Sequence, residues 1–374
     1  MRDHYKVTHL KLFRSQVYGD NKAFVKVGQL VFMKDRGEYD NRALGLDQWA
    51  RASVPNLYVP LSAELTPVSD DASFRRYFRF SEGNSGLIFV DAPPEHEDNE
   101  SFVRISAALL EHGLSCPEVK AFDYRLGYLA ITDLGDRIYL DEVIKNPLSA
   151  ELLYSDAVTA ILKLLSVSCD VPVYDALRLR AEMDLFCDWF LERQLSFEVS
   201  SEERAMLEET FECLINSALE QPSAFVHRDF HCRNLMVDDV CNPSIIDFQD
   251  ALVGPVTYDL VSLYKDCYYK FDRGVIIKVV DEFHQKLVGR GLVTRDSPVL
   301  RWFDLMGVQR HLKCLGIFSR LNLRDGKARY LADIPLVFEY LIETSASYPE
   351  LQALHKWLSA RISPKVLNLK ERFE

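Results

Sequence analysis

The 374-residue sequence predicts an α+β fold in two lobes, a small antiparallel-sheet lobe followed by a larger, mostly helical one. Three observations predict it. Short strand-like runs crowd into residues 64–134, apolar runs of helical length fill the chain after Gly135, and between them residues 224–250 alternate apolar runs with polar loops. Composition agrees: 48% hydrophobic and 27% charged residues are globular proportions, which excludes a disordered, collagen-like or coiled-coil chain.

Three segments follow. Residues 1–35 are a basic extension, with six Lys/Arg against two acids in positions 1–32, and are expected to be poorly ordered and outside the fold. Residues 36–135 form the sheet lobe. ELTPVS, the polar loop 70–73, FRRYFRF and GLIFVDA read as a three-strand meander, with a turn at Glu82-Gly83-Asn84. Pro93-Pro94 closes the third strand, and the acids of EHEDNE suit the start of a helix carrying Phe102, Ile105 and Leu109. Two more strands are expected at Val119–Phe122 and Gly127–Leu134. Residues 136–374 form the helical lobe, with helices expected at 150–168, 178–195, 202–219, 258–270, 274–289, 298–318 and 330–344.

Charge and cysteines narrow the class. The 56 acidic and 44 basic residues give a net charge of −12, which argues against nucleic acid or an anionic membrane as a partner. No run of about 18 apolar residues suggests a membrane span, and the N-terminal residues do not read as a secretory signal. The eight scattered cysteines form no CxxC pair and read as reduced thiols, so a cytoplasmic protein is expected.

The chemistry lies in FVHRDFHCRNLMV (225–237) and SIIDFQD (244–250). His227-Arg228-Asp229 precedes Asn234 with the spacing D-x4-N, and Asp247 follows Asp229 by 18 residues. Phosphoryl transfer from a nucleotide needs this set: one carboxylate to orient a hydroxyl and take its proton, and a second carboxylate with an amide oxygen to hold magnesium. The rival reading, a zinc site on His227, Asp229 and His231, leaves Asn234 and Asp247 without a role and finds no further His or Cys to complete a shell. His227 reads as a structural brace.

With DASFRRYFRF (71–80), FVDAPPEHEDNESF (89–102), ITDLGD (131–136), IDFQDALVGPVTYDLVSLYKDCY (246–268) and RHLKCLGIFSRLNLRDGKARYL (310–331), these motifs resemble the aminoglycoside phosphotransferase and choline kinase-like superfamily, within it the bacterial anomeric kinases of N-acetylmuramate and N-acetylglucosamine in peptidoglycan recycling. The resemblance spans residues 64 to about 345. It implies a bilobal, protein-kinase-like fold and a cytoplasmic enzyme using ATP and Mg²⁺ on an amino sugar. Asp229 would then be the catalytic base, and Asn234 and Asp247 the metal ligands. Residues 70–73, with Ser73, would stand in for the glycine-rich loop, and Asp133 and Leu134 would lie in the adenine-contacting hinge. Asp259, in P-x-x-x-D-L, would brace the loop or contact the substrate. A kinase for another alcohol, or a catalytically silent nucleotide-binding scaffold, remains the alternative.

One departure matters. Such kinases carry a phosphate-binding lysine on the third strand, and here Asp91 stands at the corresponding position. Lys26 precedes the first strand and cannot replace it. An arginine of FRRYFRF would supply the charge, Arg76 being the first candidate and Arg79 a second nucleotide contact. Arg76 and Arg79 face opposite sides of a strand, whereas Arg75 and Arg79 share one. Residues 301–330 carry seven Lys/Arg against two Asp, and Arg310, Lys313 and Arg320 recur on one helix face. That face is either solvated or a substrate-binding anion site fit for a sugar carboxylate.

Overall fold

A computed structural model describes residues 40–54, 57–68, 74–83 and 86–370, the side chain of Lys370 excepted. The basic extension and the 70–73 loop with Ser73 lie outside the described residues. The chain divides after Gly45, and the unit from Leu46 onward is described by itself.

Its first lobe is a five-stranded antiparallel sheet: β1 (Leu65–Pro67), β2 (Arg76–Phe80), β3 (Leu87–Asp91), β4 (Val119–Asp123) and β5 (Tyr128–Thr132), in the order β1-β2-β3-β5-β4. The pairs Arg76↔Asp91 and Tyr77↔Val90 fix the register of β2 on β3. Because strand side chains alternate, the register sorts them onto two faces. Ile88 and Val90 share one apolar cluster with Phe102, Ile105 and Leu109 of helix α2 (Asn99–Glu111). Phe78, Phe80 and Phe89 are buried on the other face, where Arg51, in the last turn of helix α1 (Asn41–Ser53), lies over the Phe80 ring at 4.8 Å. Asp98 caps α2, its carboxylate accepting from the Ser101 N–H.

The second lobe is helical: α3 (Tyr139–Lys145), α4 (Ala150–Leu164), α5 (Ala176–Leu185, continued as a π-helical stretch to Gln194), α6 (Ser201–Leu219), α7 (Tyr258–Tyr264), α8 (Arg273–Gly289), α9 (Val299–Asp325), α10 (Ile334–Ser347), α11 (Gln352–Trp357) and α12 (Ser363–Lys370). Helix α9 runs through the middle, buried on nearly every side from Trp302 to Ser319. Gly316 lets it pass α5 closely, since a β-carbon there would collide with the Leu185 backbone. Two small ribbons interrupt the helices, β6 (Ser223–Val226) with β9 (Leu252–Pro255) and β7 (Leu235–Met236) with β8 (Ser244–Ile245), and they frame the loops that carry the chemistry.

Helices α1, α3, α11 and α12 were not legible as periodic runs. The helix expected at 258–270 stops at Tyr264, because the buried Asp266 carboxylate accepts from the Tyr268 and Tyr269 N–H groups and turns the chain. No described helix is long and apolar enough to cross a membrane.

Candidate active site

The loop after β6 carries Asp229 and Asn234, and the loop after β8 carries Asp247. Asn234 joins them: its side-chain amide donates to the Asp229 backbone oxygen at 3.0 Å and to Asp247 Oδ2 at 3.1 Å. Gln249 Nε2 donates to Asp247 Oδ1 at 2.7 Å. Arg228 and Asp247 both adopt positive φ, 76° and 65°, which costs a side-chain-bearing residue strain and needs support. Asp259 supplies it for the first loop. Its buried carboxylate accepts from the His227 N–H at 2.8 Å and the Arg228 N–H at 3.0 Å, so both oxygens serve the loop rather than a substrate. Burial nevertheless pushes its pKa up to about 7.

His227 is fully buried, bonds the Ile246 oxygen through Nε2 at 3.0 Å, and is pushed by burial down to about 4. It is a neutral brace between the two loops. No group of three or more His, Cys, Asp or Glu among the described residues could by itself hold a metal, so the zinc reading has no shell. The oxygens at Asp247 suit a harder cation. The Asp247 carboxylate, the Asn234 amide oxygen and Gln249 Oε1, a buried atom without a hydrogen-bond partner, offer the oxygen donors magnesium prefers, with phosphates needed to complete the shell. Burial, then repulsion from Asp229, raises the Asp247 pKa to about 6, although the residue as a whole is exposed.

Asp229 differs. Burial opposes its ionisation, but Lys313, Arg310 and Arg228 outweigh burial and hold it down at about 2. These cations sit behind the loop. Lys313 Nζ lies 3.2 Å from Glu182 Oε1 and 3.3 Å from the Tyr258 hydroxyl, and Glu182 also pairs with Arg228 and accepts from Gln309 at 3.1 Å. Arg310 is buried, with Nη1 4.0 Å from Cys267 Sγ and 3.8 Å from Cys314 Sγ. The basic face of α9 is therefore not a solvated face at these two positions. It is internal, because the helix is central rather than peripheral. Arg320, two turns on, is half-buried and its Nε has no hydrogen-bond partner.

The arginines of β2 are also sorted by the register. Arg76 and Asp91 are paired neighbours on the face away from α2, with Arg76 Nε 3.0 Å from Asp91 Oδ2. Asp91 therefore lies on the face away from α2 and is bonded by Arg76, whereas Val90, one residue earlier, lies on the α2 face. Arg75, Tyr77 and Arg79 share the other face. Arg79 closes on the segment after β5, Nε to Asp133 Oδ2 at 2.6 Å and Nη2 to Asp136 Oδ1 at 3.0 Å, while Leu134 follows half-buried. Arg75 is 4% exposed, pairs with Glu97 at 3.2 Å, and lies 4.7 Å from the Phe102 ring, which in turn packs 4.8 Å from Phe248, next to Asp247. Tyr77 beside it, pushed up to about 12 chiefly by burial, feels both Arg75 and Asp247. One reading of the EHEDNE run pairs one of its acids with an arginine of FRRYFRF, the other being a solvated helix start, and the pair present is Glu97 with Arg75. Among the aromatic side chains of the helical lobe, Phe186, Phe190 and Tyr264 are core, and Tyr268 is half-buried.

The pattern of the phosphotransferase enzyme family matches residues 64–302. The chain belongs to that family. The N-acetylmuramate/N-acetylglucosamine kinase of Pseudomonas aeruginosa is 41% identical over 331 residues, 86% of this chain and 97% of that protein. The namesake of Neisseria meningitidis is 34% identical over 325 residues, 85% and 95%. Solved phosphotransferases share the fold at lower identity. The ADP-bound aminoglycoside phosphotransferase APH(2'')-Ib superposes with a TM-score of 0.52 at 15% identity, covering 82% of this chain and 99% of that one. A choline/ethanolamine kinase family protein from Mesorhizobium loti gives 0.52 at 16%, covering 83% and 99%. The bilobal, protein-kinase-like α+β fold is that of the phosphotransferase family.

Proposed function

We propose that the protein is an ATP-dependent, Mg²⁺-requiring kinase that phosphorylates the anomeric hydroxyl of N-acetylmuramate and of N-acetylglucosamine. The observation that carries the reading is the junction of Asp229, Asn234 and Asp247 through one amide, in a chain whose relatives bear that kinase's name. Residues 36–135 hold the nucleotide in this reading and 136–374 the catalytic groups and the sugar, and the reaction belongs in the cytoplasm, where ATP is made available.

Asp229, ionised throughout the physiological range, accepts a hydrogen bond from the sugar hydroxyl and aims its oxygen at the γ-phosphorus. Because the transition state is loose, the proton moves late and a weak base suffices. Asn234 and Asp247 would hold the magnesium, which when bound neutralises charge on the phosphates. Arg75, immediately ahead of β2 and backed by Glu97, offers a cation in place of the missing strand lysine. Asp259 and His227 keep the strained loop from relaxing.

The test is ³¹P NMR of each sugar incubated with MgATP. Both should yield an anomeric phosphate, and Asp229→Asn should lose about 10²–10⁴ in kcat while still binding nucleotide. Nucleotide binding without any sugar phosphate from the wild type would sink the reading in favour of a silent scaffold.

A further inference from the structure

We propose that Arg233, laid on the Tyr268 ring beside Asn234, is the acceptor-side cation that reads the lactyl carboxylate distinguishing N-acetylmuramate from N-acetylglucosamine. The inference rests on the sugar-kinase reading above and adds the residue that separates the two sugars. With Arg310 and Lys313 internal, the carboxylate needs another partner, and it must lie on the helical-lobe side of Asp229, away from the phosphates.

Arg233 meets those conditions. It sits four residues after Asp229 and immediately before Asn234, yet it is exposed, whereas Arg228, Arg310 and Lys313 are wholly or largely withdrawn behind the loop. Its guanidinium lies 3.7 Å from the centre of the Tyr268 ring. Stacking on a tyrosine face fixes the plane of the guanidinium and leaves its edge free to meet a carboxylate with two parallel N–H donors. The platform is itself held. The buried Asp266 carboxylate accepts from the Cys232 N–H at 3.2 Å and, through its other oxygen, from the N–H groups of Tyr268 and Tyr269. One side chain thus ties the catalytic loop to the turn that carries Tyr268, so Arg233 and its platform are positioned together before any sugar arrives.

Two further groups mark the same corner. His231 packs edge-on against Tyr268, ring centres 5.3 Å apart, and its buried Nδ1 has no hydrogen-bond partner, which leaves a polar atom for a sugar oxygen. Asp333, half-buried just ahead of α10, lies near enough for Arg233 to lower its pKa, though burial raises it on balance to about 6. It forms no close ion pair with Arg233 among the described residues. The cation therefore has an acid nearby to offset its charge in the free protein but none occupying its bidentate edge. Tyr268 and Asp333, the groups around Arg233, belong to the helical lobe that carries the sugar in this reading.

The experiment is steady-state kinetics of Arg233→Ala and Arg233→Lys on both sugars, with saturating MgATP. For Arg233→Ala, the rise in KM on N-acetylmuramate should exceed the rise on N-acetylglucosamine by tenfold to a hundredfold, the size of one charge-assisted contact to a carboxylate. Arg233→Lys should recover part of that gap, since a point charge replaces the fork. A parallel loss on both sugars, or a raised KM for ATP, would overturn the inference by placing Arg233 on the phosphates or the loop. Equal KM values to the wild type on both sugars would overturn it as well. Failure of the kinase reading looks different, because the wild type would then phosphorylate neither sugar.

Discussion

Strand β2 and helix α9 both carry several cations, and the two elements treat them in opposite ways. On β2 and the residue just ahead of it, neighbours in sequence go to different partners: Arg75 to Glu97, Arg76 to Asp91, Arg79 to Asp133 and Asp136. On α9, residues a turn apart are drawn into a single buried network around Glu182 and behind Asp229. A strand at the surface of a thin lobe offers two faces, so period two distributes charge between cleft and exterior. Where a helix is buried in the middle of a thick lobe, a cation that is not matched is costly. The same residue type is a tool at one place and a structural commitment at the other.

The largest effect expected from that contrast is on α9. Lys313→Met should cost about 3–5 kcal/mol in urea unfolding, because it strands Glu182 with one cation fewer in a dry site. Adding Glu182→Gln should return part of the loss, the coupling being the sign of a matched pair rather than of lost volume. A loss below about 1 kcal/mol for the single change would mean water reaches Glu182 and the network is not internal.

On β2 the effects should divide by face. Arg75→Ala should raise the KM for MgATP about tenfold or more, since a charged contact to phosphate is worth about 1.5–3 kcal/mol, while leaving the sugar KM values close to normal. Arg76→Ala should lower stability through the buried Asp91 and leave the KM for MgATP alone. The reverse outcome would show that the cation comes from the Asp91 side after all.

These two elements also mark what could be read in advance. The catalytic loop was legible because its residues are contiguous and their spacing is dictated by the chemistry, so Asp229, Asn234 and Asp247 could be picked out as one set before any geometry was available. The sheet was legible because its strands alternate and end at Pro or Gly. The facing of Asp91 was not, because a one-residue offset in register moves a side chain to the opposite face, and register depends on the partner strand. The burial of Arg310 and Lys313 was not legible either, since helical spacing shows which residues share a face but not what covers it. Arg233 passed unnoticed inside the catalytic motif itself, where Tyr268, its platform, is 35 positions away and held by Asp266.

The smallest effect should come from Arg320, and it sharpens the contrast most. Lys313 and Arg320 are seven residues apart on α9, almost in line, so periodicity alone gives them one role. Their surroundings differ. Lys313 is buried against Glu182 and Tyr258, whereas Arg320 is half-buried near the end of the helix, where burial and then Arg324 lower its pKa and Asp325 opposes them. No carboxylate holds it in an ion pair among the described residues. Arg320→Ala should therefore change stability by no more than about 0.5 kcal/mol, as expected where no matched charge is lost. The KM for either sugar should stay within about twofold of the wild type. A KM rise confined to N-acetylmuramate would return the carboxylate to α9 and displace Arg233, because one carboxylate cannot be gripped in both places. A stability loss of several kcal/mol would instead extend the buried network two turns farther along the helix than its ion pairs now reach.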